Sequence, residues 1–255
     1  MDSVPFDFIE NVIHQFRSGS KVLERTSLFE SAWSSVTRKR LEKRKLNISV
    51  AFTDNGMFYE CFEFDESFNR VYFNTSKFDS RFHELVDFRV FHCQPSEIVL
   101  TDSIFKTILR ILRNQKSRLS WTTLSITESA YSDYPIYINQ LIESIQGTNV
   151  LCIKKGFCPQ PSILWKTQEL DCSQSLLPKS FEPLVLEFVR TGRPICIECE
   201  VAKERKEFLV ELEKALDERE GTTRVERNGR YRWSSCTFSG KVFEGPGLGV
   251  TLNIK

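Results

Sequence analysis

The chain has 255 residues, of which 40% are hydrophobic and 27% are charged, so we expect a folded core and exclude extended disorder. Thirty-five basic residues nearly cancel thirty-four acidic ones, and a formal charge of +1 does not favour nucleic-acid binding across the whole surface. The N-terminus has early acidic residues, and no uncharged run approaches the roughly 20 apolar residues that span a bilayer, so we expect neither a signal peptide nor a membrane contact.

The first forty-odd residues are predicted to be helical. Pro5 suits a first helical turn, and Gly19 ends the apolar periodicity that follows it. The apolar positions of this first helix are Phe8, Ile9, Val12, Ile13 and Phe16. A second helical stretch is predicted through Leu28, Phe29, Ala32, Trp33, Val36 and Leu41. Its basic tail, Arg38 to Lys45, is either a solvated helix end or a nuclear-localisation or phosphate-binding patch.

From Leu46 the apolar period changes to two, which indicates strands. Asn55-Gly56 is a strong turn signal and predicts a hairpin over about residues 46–65. Further short strands are predicted from Arg70 to Phe73 and from Asp87 to Cys93. The change of composition near Asn47 therefore predicts a domain boundary, with a helical module over residues 3–45 and a second domain over residues 46–255.

After Leu100 the pattern alternates between helix and strand. Helices are predicted after Asp102, from Pro135 to Gly147, from Phe181 to Gly192 and from Phe208 to Gly221. Strands are predicted over 119–126, 150–153 and 195–201, with a last hairpin at Asn228-Gly229, whereas residues 156–178 are predicted to be a long loop. The fold class that results is α+β (mixed), with hairpins and several helix–strand units.

The eight cysteines are predicted to be free thiols. A chain of this size without a secretory signal is expected in the cytoplasm, possibly also in the nucleus, where thiols stay reduced. Several cysteines lie in apolar runs, as Cys152 does, where a thiol packs as a small hydrophobic group.

Motifs that would carry chemistry are weak. Cys196-x-x-Cys199 has no second ligand pair for a metal, and alternation along a strand turns the two thiols to opposite faces. Cys199-x5-Arg205 has the spacing of a cysteine-phosphatase loop, but the loop contains Glu200 and Glu204 and no glycine. Gly245-Pro246-Gly247 precedes a strand and fits a turn. We therefore predict no catalytic, cofactor-binding or metal-binding residues and no enzymatic activity.

The segment from Val4 to Phe16 resembles the start of the F-box motif. The match consists of an apolar residue before proline, apolar pairs one helical turn apart, and a downstream Trp that an aliphatic residue follows three positions later. The matching residues are Val4, Pro5, Phe8, Ile9, Val12, Ile13, Phe16, Trp33 and Val36. With the Phe-rich strands that follow, the chain resembles a nematode-expanded group of F-box and F-box-associated proteins.

This resemblance implies a substrate-recognition adaptor of a cullin-type ubiquitin ligase. The nine matching residues would bind a Skp-type adaptor protein, and residues 46–255 would hold an unknown target protein. An amphipathic helix with more apolar positions than it can bury alone is compatible with such a partner. The alternative is a ligase-independent interaction domain of unknown partner, in which the N-terminal helix belongs to the protein's own core.

Overall fold

The computed structural model describes residues 4–16, 20–28, 31–92, 98–154, 157–193, 195–201, 205–218, 223–227, 230–235, 238–244 and 248–254. It confirms the predicted mixed α+β class, with helices alternating with a mixed sheet. The chain forms two compact units. The first comprises Met1–Thr123 and Ser129–Asn149, and the second comprises Leu124–Glu128 and Val150–Lys255. The predicted helical module over residues 3–45 lies within the first unit, and its boundary near residue 45 stays a prediction.

The first unit begins with three short helices, α1 (Phe6–Ile13), α2 (Lys21–Ser27) and α3 (Ala32–Leu41). The Ser20 side chain accepts a hydrogen bond from the Leu23 N–H at the start of α2. Ser31 and Ser34 exchange side-chain and backbone hydrogen bonds at the start of α3. The single helical stretch that the sequence predicts through Leu28 and Trp33 is thus two helices, because the Ser31 cap begins a new one.

The sheet of the first unit contains β1 (Arg44–Thr53), β2 (Gly56–Phe64), β3 (Arg70–Tyr72), β4 (His83–Phe91) and β5 (Leu119–Ser125), with the order β3-β2-β1-β4-β5. Strands β1 and β2 form the predicted hairpin, and Gly56, the first residue of β2, has a φ of 125°, which suits glycine. Strand β4 runs parallel to β1. Strand β3 is the edge of this sheet, and its three residues are exposed.

Three more helices, α4 (Asp102–Arg113), α5 (Glu128–Asp133) and α6 (Pro135–Ser144), complete the first part of the fold. Helix α4 buries one face, which includes Phe105, Ile108 and Leu112, and packs on α6. The rings of Phe105 and Tyr137 meet edge to face at 5.0 Å between centroids. The predicted helices after Asp102 and Pro135 are confirmed, whereas α5 was not predicted.

The second unit contains β6 (Thr148–Lys154), β7 (Thr167–Leu176), α7 (Glu182–Thr191), β8 (Ile195–Val201), α8 (Lys206–Asp217), β9 (Thr223–Arg227), β10 (Arg230–Ser235), β11 (Phe238–Glu244) and β12 (Leu248–Ile254). Strands β7 and β8 are parallel, and an antiparallel meander follows in the order β8-β12-β11-β10-β9. Gly192 ends α7 with a φ of 73°, as the sequence predicts.

Strand β7 shows that the predicted loop over 156–178 is wrong. Its buried apolar residues, Leu170 and Cys172, lie on either side of Asp171, and the backbone pairs with β8. A 3₁₀ turn, Pro161–Lys166, precedes it. Gly221, the Asn228-Gly229 turn and residues 245–247 lie outside the described residues. Within the part that is described, no helix is long and apolar enough to cross a membrane.

Candidate interaction site

Three of the nine predicted contact residues lie in the core of the helical module formed by α1, α2 and α3. Ile9, Ile13 and Val36 pack with Leu23, and Ile9 is 0% exposed. A partner cannot touch these three side chains while the module is folded. The expectation that a partner contacts these three residues is therefore corrected. The apolar face of α1 is covered by α2 and α3 of the same chain.

Other predicted contact residues remain accessible. Pro5 is exposed, and Phe8 is 54% exposed. The ring of Phe8 stands edge to face against the partly buried Trp33, with 6.4 Å between centroids. The predicted residues that are partly buried are Val4, Val12, Phe16 and Trp33. The predicted set thus divides into an inner group that folds the module and an outer group that can meet a partner.

The module exposes further apolar side chains that the motif did not identify. Phe6 is 48% exposed and lies under the Lys39 ammonium, which is 5.7 Å from the centre of its ring. On α2, Val22 is 48% exposed, and Leu28 just after that helix is 79% exposed. No sequence signal marks Leu28 as outward-facing, because it has the same helical spacing as the buried Val36. Val22 adjoins the buried Leu23, and neighbouring residues of a helix do not share a face.

Arg40 of α3 fixes the module to the sheet of the same unit. Its side chain is 1% exposed. The guanidinium donates to the Glu84 carboxylate on β4, at 3.1 Å from Nε and 2.8 Å from Nη2. It also donates to the carbonyl oxygens of Ile13, the last residue of α1, and of Phe16 just beyond that helix. One buried side chain therefore joins α1, α3 and β4.

Glu84 remains ionised in this buried position. Burial alone would raise the pKa of Glu84, but the charges of Arg40 and Lys45 outweigh burial and hold it below its ordinary value. Lys45 contacts the second carboxylate oxygen and also donates to the Arg40 carbonyl at 3.0 Å. The ion pair therefore stays charged at neutral pH.

A second set of contacts holds α1 against the segment that leads into β5. His14 Nδ1 lies 2.6 Å from the Ser117 hydroxyl, and Lys116 Nζ donates to Glu10 at 2.9 Å. The Arg118 N–H donates to the His14 carbonyl at 3.4 Å, and its side chain donates to Gln15 at 3.1 Å. Helix α1 is thus held at its C-terminal end by residues about a hundred positions away.

Ser117, His14 and Glu10 superficially resemble a hydroxyl–imidazole–carboxylate relay, with 3.8 Å between His14 Nε2 and Glu10 Oε1. Burial, followed by the charges of Arg40 and Lys43, lowers the pKa of His14 to about 4. A general base needs a pKa near the operating pH, so this imidazole is a weak base at neutral pH. The arrangement is suited to holding α1 in place.

The cysteine motifs gain no chemistry from the fold. Cys199 is buried and Cys196 is partly buried, and burial raises the pKa of Cys196. Arg205 donates to Glu182 at 3.0 Å and to the Leu177 carbonyl, so its guanidinium is already bound. Among the described residues, no group of three or more His, Cys, Asp or Glu side chains could hold a metal ion.

The candidate site therefore consists of the exposed apolar residues of the helical module, which we call the outer surface below. They are Pro5, Phe6, Phe8, Val22 and Leu28. Neither a family model, nor a curated protein, nor a solved structure matches this chain.

Proposed function

We propose that this protein is a substrate-recognition adaptor of a cullin-type ubiquitin ligase that binds a Skp-type adaptor protein through its N-terminal helical module. The observation that carries the proposal is the exposure of Phe8, at 54%, in a segment that resembles the F-box. A half-exposed aromatic ring supported by a second ring, here Trp33, is typical of an anchor residue at a protein interface.

The contact residues of this proposal are those of the outer surface, with Phe8 and Pro5 from the predicted set. A single exposed apolar side chain is ordinary on a protein surface. The module exposes several of them on its short helices, which supports a protein partner. The anchors through Arg40 and His14 would hold this surface in a fixed orientation, and a preorganised surface loses less entropy on binding. The function requires a cytoplasmic or nuclear location.

The target protein would bind elsewhere on residues 46–255. The edge strand β3 and its hairpin expose Phe64, Phe68, Val71 and Tyr72, and an exposed edge can pair with an extended segment of another chain. This surface lies on a different element from Phe8, so the two binding activities can be tested separately.

The decisive experiment is co-purification of the full chain with a recombinant Skp-type adaptor. We expect the wild type to bind and Phe8→Asp to lose binding, because a carboxylate would be desolvated at the interface. Phe68→Asp is the matched control, since Phe68 is 84% exposed and Asp tolerates its φ of 60°. Equal thermal midpoints for both variants would show that folding is retained. A wild type that fails to bind, or a Phe8→Asp variant that binds normally, would contradict the proposal.

Burial of Ile9 and Ile13 favours the alternative, an interaction domain without a ligase whose N-terminal helix is core. Both proposals expect Ile13→Asp to unfold the module, so adaptor binding is the measurement that distinguishes them. A wild type that binds no Skp-type adaptor, together with an Ile13→Asp variant that unfolds, would leave only the alternative.

A further inference from the structure

The outer edge of β2 is paired with two short pieces of chain rather than with one long strand. Strand β3 pairs with Phe62–Phe64 at one end of β2. At the other end, the Tyr59 N–H donates to the Ile98 carbonyl at 3.0 Å, and the Leu100 N–H donates to the Met57 carbonyl at 2.8 Å. All of these residues belong to the first unit. Two separate segments therefore lie along this edge of the sheet.

Two backbone N–H groups and two carbonyl groups of β3 point away from the sheet. The Phe73 N–H donates to the Cys61 carbonyl at 2.8 Å, so Phe73 and, two positions earlier, Val71 are the residues that exchange hydrogen bonds with β2. Hydrogen-bonded and non-hydrogen-bonded pairs alternate along antiparallel strands. The N–H and C=O groups of Arg70 and Tyr72 therefore face outward, and both residues are exposed. Through these two residues β3 can pair with one more strand.

Arg70, the charged residue of β3, does not shield this edge. Natural proteins often protect edge strands with charged side chains that face the solvent. The Arg70 guanidinium instead lies 4.6 Å from the centre of the Phe62 ring on β2, and its Nη1 donates to the Glu60 carboxylate at 3.3 Å. The side chain is thus turned back over the sheet, and its charge is directed away from the outer edge.

A groove of about 490 Å³ lies at the end of β3. Its walls come from β3, the 3₁₀ turn Thr75–Lys77, the segment before α4 and the first turns of α4. The aromatic and aliphatic lining residues are Tyr59, Tyr72, Phe73, Ile98 and Ile104. The other described lining residues are asparagine, serine and threonine, so none of those described carries a charge. An uncharged apolar side chain therefore suits the groove, because a charged one would lose its hydration without an ionic partner.

The groove is continuous with the outer edge of β3, because Tyr72 belongs to both. A segment paired with Arg70 and Tyr72 would continue toward Phe73, which also lines the groove. Phe73 and Tyr59 lie on one face of the sheet, because Phe73 is opposite Cys61, two positions from Tyr59. Residues opposite each other in a sheet share a face, so the residue of the bound segment opposite Phe73 would face the groove. Backbone pairing would thus give affinity, and the groove would select one side chain.

A second copy of this chain fits the edge less well than another protein does. If two β3 strands paired in antiparallel fashion through both outward residues, Arg70 of each copy would lie opposite Tyr72 of the other, and Asn69 would lie opposite Phe73. The Asn69 amide is polar, and it donates to the Asp65 carboxylate at 3.3 Å in its own turn. The groove would then receive a polar side chain that is already bound within its own copy.

We propose that β3 and this groove bind an extended segment of the target protein, which adds a strand beside β3 and places one uncharged apolar side chain in the groove. The inference deepens the target-binding part of the proposed function, and it rests on that function in assigning the segment to a ligase target. Val71, Ile98 and Val99 are exposed along the same edge and add apolar area for the bound segment.

The test begins with selection of a phage-displayed library of random peptides on the full chain. The enriched peptides are then synthesised and titrated by fluorescence anisotropy. We expect saturable binding by peptides that share an uncharged apolar residue, and replacement of that residue with Asp should weaken binding about tenfold or more. Ser103→Glu, which brings a charge to the groove, should weaken binding by a similar factor, whereas Ser103→Ala should bind as the wild type does.

A pair of variants at Tyr72 tests the backbone pairing. Tyr72→Pro removes the outward N–H but no hydrogen bond to β2, and proline is tolerated on an edge strand where the N–H faces the solvent. Tyr72→Val is the matched control, because it also lacks the ring but keeps the N–H. Tyr72→Pro should bind the peptides about tenfold more weakly than Tyr72→Val does, with equal thermal midpoints.

Hydrogen exchange of the wild type needs no variant and decides the question even if Tyr72→Pro unfolds. Bound peptide should slow exchange of the Arg70 and Tyr72 amides severalfold, because both gain hydrogen-bond acceptors. Unchanged exchange at both amides, absence of any peptide that binds saturably, or equal binding by Tyr72→Pro and Tyr72→Val would overturn the inference. A wild type that sediments as a dimer, with a monomeric Tyr72→Pro, would assign the edge to a second copy instead.

No Skp-type adaptor is present in these assays, so the two proposals fail separately. Peptide binding by a chain that binds no adaptor would refute the ligase role alone. Adaptor binding by a chain that binds no peptide would refute the inference on β3 alone.

Discussion

Replacing Arg40 with Met should remove a large part of the stability of the first unit. The variant leaves the Glu84 carboxylate buried with only Lys45 as a cationic partner, and it removes the donor to the Ile13 and Phe16 carbonyls. Loss of one partner of a buried ion pair costs about 3–5 kcal/mol, because the remaining charge stays desolvated. Against a total of about 5–15 kcal/mol for a domain, such a loss is easily measured.

Urea unfolding followed by far-UV circular dichroism measures this loss as a fall in the transition midpoint. Arg44→Met is the matched control, since Arg44 pairs with Glu63 at the surface and is 53% exposed. An exposed pair contributes at most about 1 kcal/mol, so this variant should unfold almost as the wild type does.

A double variant separates the charge from the packing. Replacing both Arg40 and Glu84 with Met removes the stranded carboxylate, and it should be more stable than Arg40→Met alone by about 1 kcal/mol or more. If Arg40→Met costs no more than Arg44→Met, Arg40 does not anchor the module in solution, and the reasoning on the buried network is wrong.

Three further predictions concern acid, thiols and the module core. Because the folded pKa of His14 is about 4, below its ordinary 6.5, the unfolded chain binds the proton more readily, and stability should fall by about 2 kcal/mol between pH 7 and pH 5. His14→Asn should flatten that part of a pH series of urea midpoints, and an unchanged slope would refute the assignment. Cys158 is exposed and should be alkylated in the folded protein, whereas Cys61, whose pKa burial raises to about 12, and buried Cys172 should react only on unfolding. Recovery of several stable disulfides by mass spectrometry would contradict this expectation. Ile13→Ala should cost about 2–5 kcal/mol by calorimetric melting, and a loss below about 1 kcal/mol would show that Ile13 is not core.

Elements with a strong local signal were predictable from the sequence. The Asn55-Gly56 signal predicted the β1–β2 hairpin, because Gly56, where β2 begins, adopts the positive φ that glycine allows. Helix α7 was recognised by its apolar face and by Gly192 in the left-handed region. Strand β7 was missed because its residues are mostly polar, and its pairing with β8 depends on backbone hydrogen bonds rather than on an apolar pattern.

The candidate site was only partly predictable, for a different reason. Periodicity identified Ile9 and Ile13 as one apolar face of α1, but it could not say whether that face meets α3 or another protein. The basic run that includes Arg40 and Lys43 was interpreted as a whole, yet Arg40 is buried against Glu84 and Lys43 lines a cavity. Those roles depend on partners 30 or more residues away, which local patterns do not encode.

The long-range anchors of α1 also bear on the order of folding during synthesis. The helical module is synthesised before the partners that anchor it, because Glu84 follows Arg40 by 44 residues and Ser117 follows His14 by 103. At about 5–20 residues per second, synthesis reaches Glu84 about 2–9 s after Arg40, and it reaches Ser117 about 5–20 s after His14. During that interval the nascent module has its small core of Ile9, Ile13, Leu23 and Val36 but neither anchor. In nascent chains the helical module is therefore open to early capture, by a chaperone or by a partner, before the rest of the first unit exists.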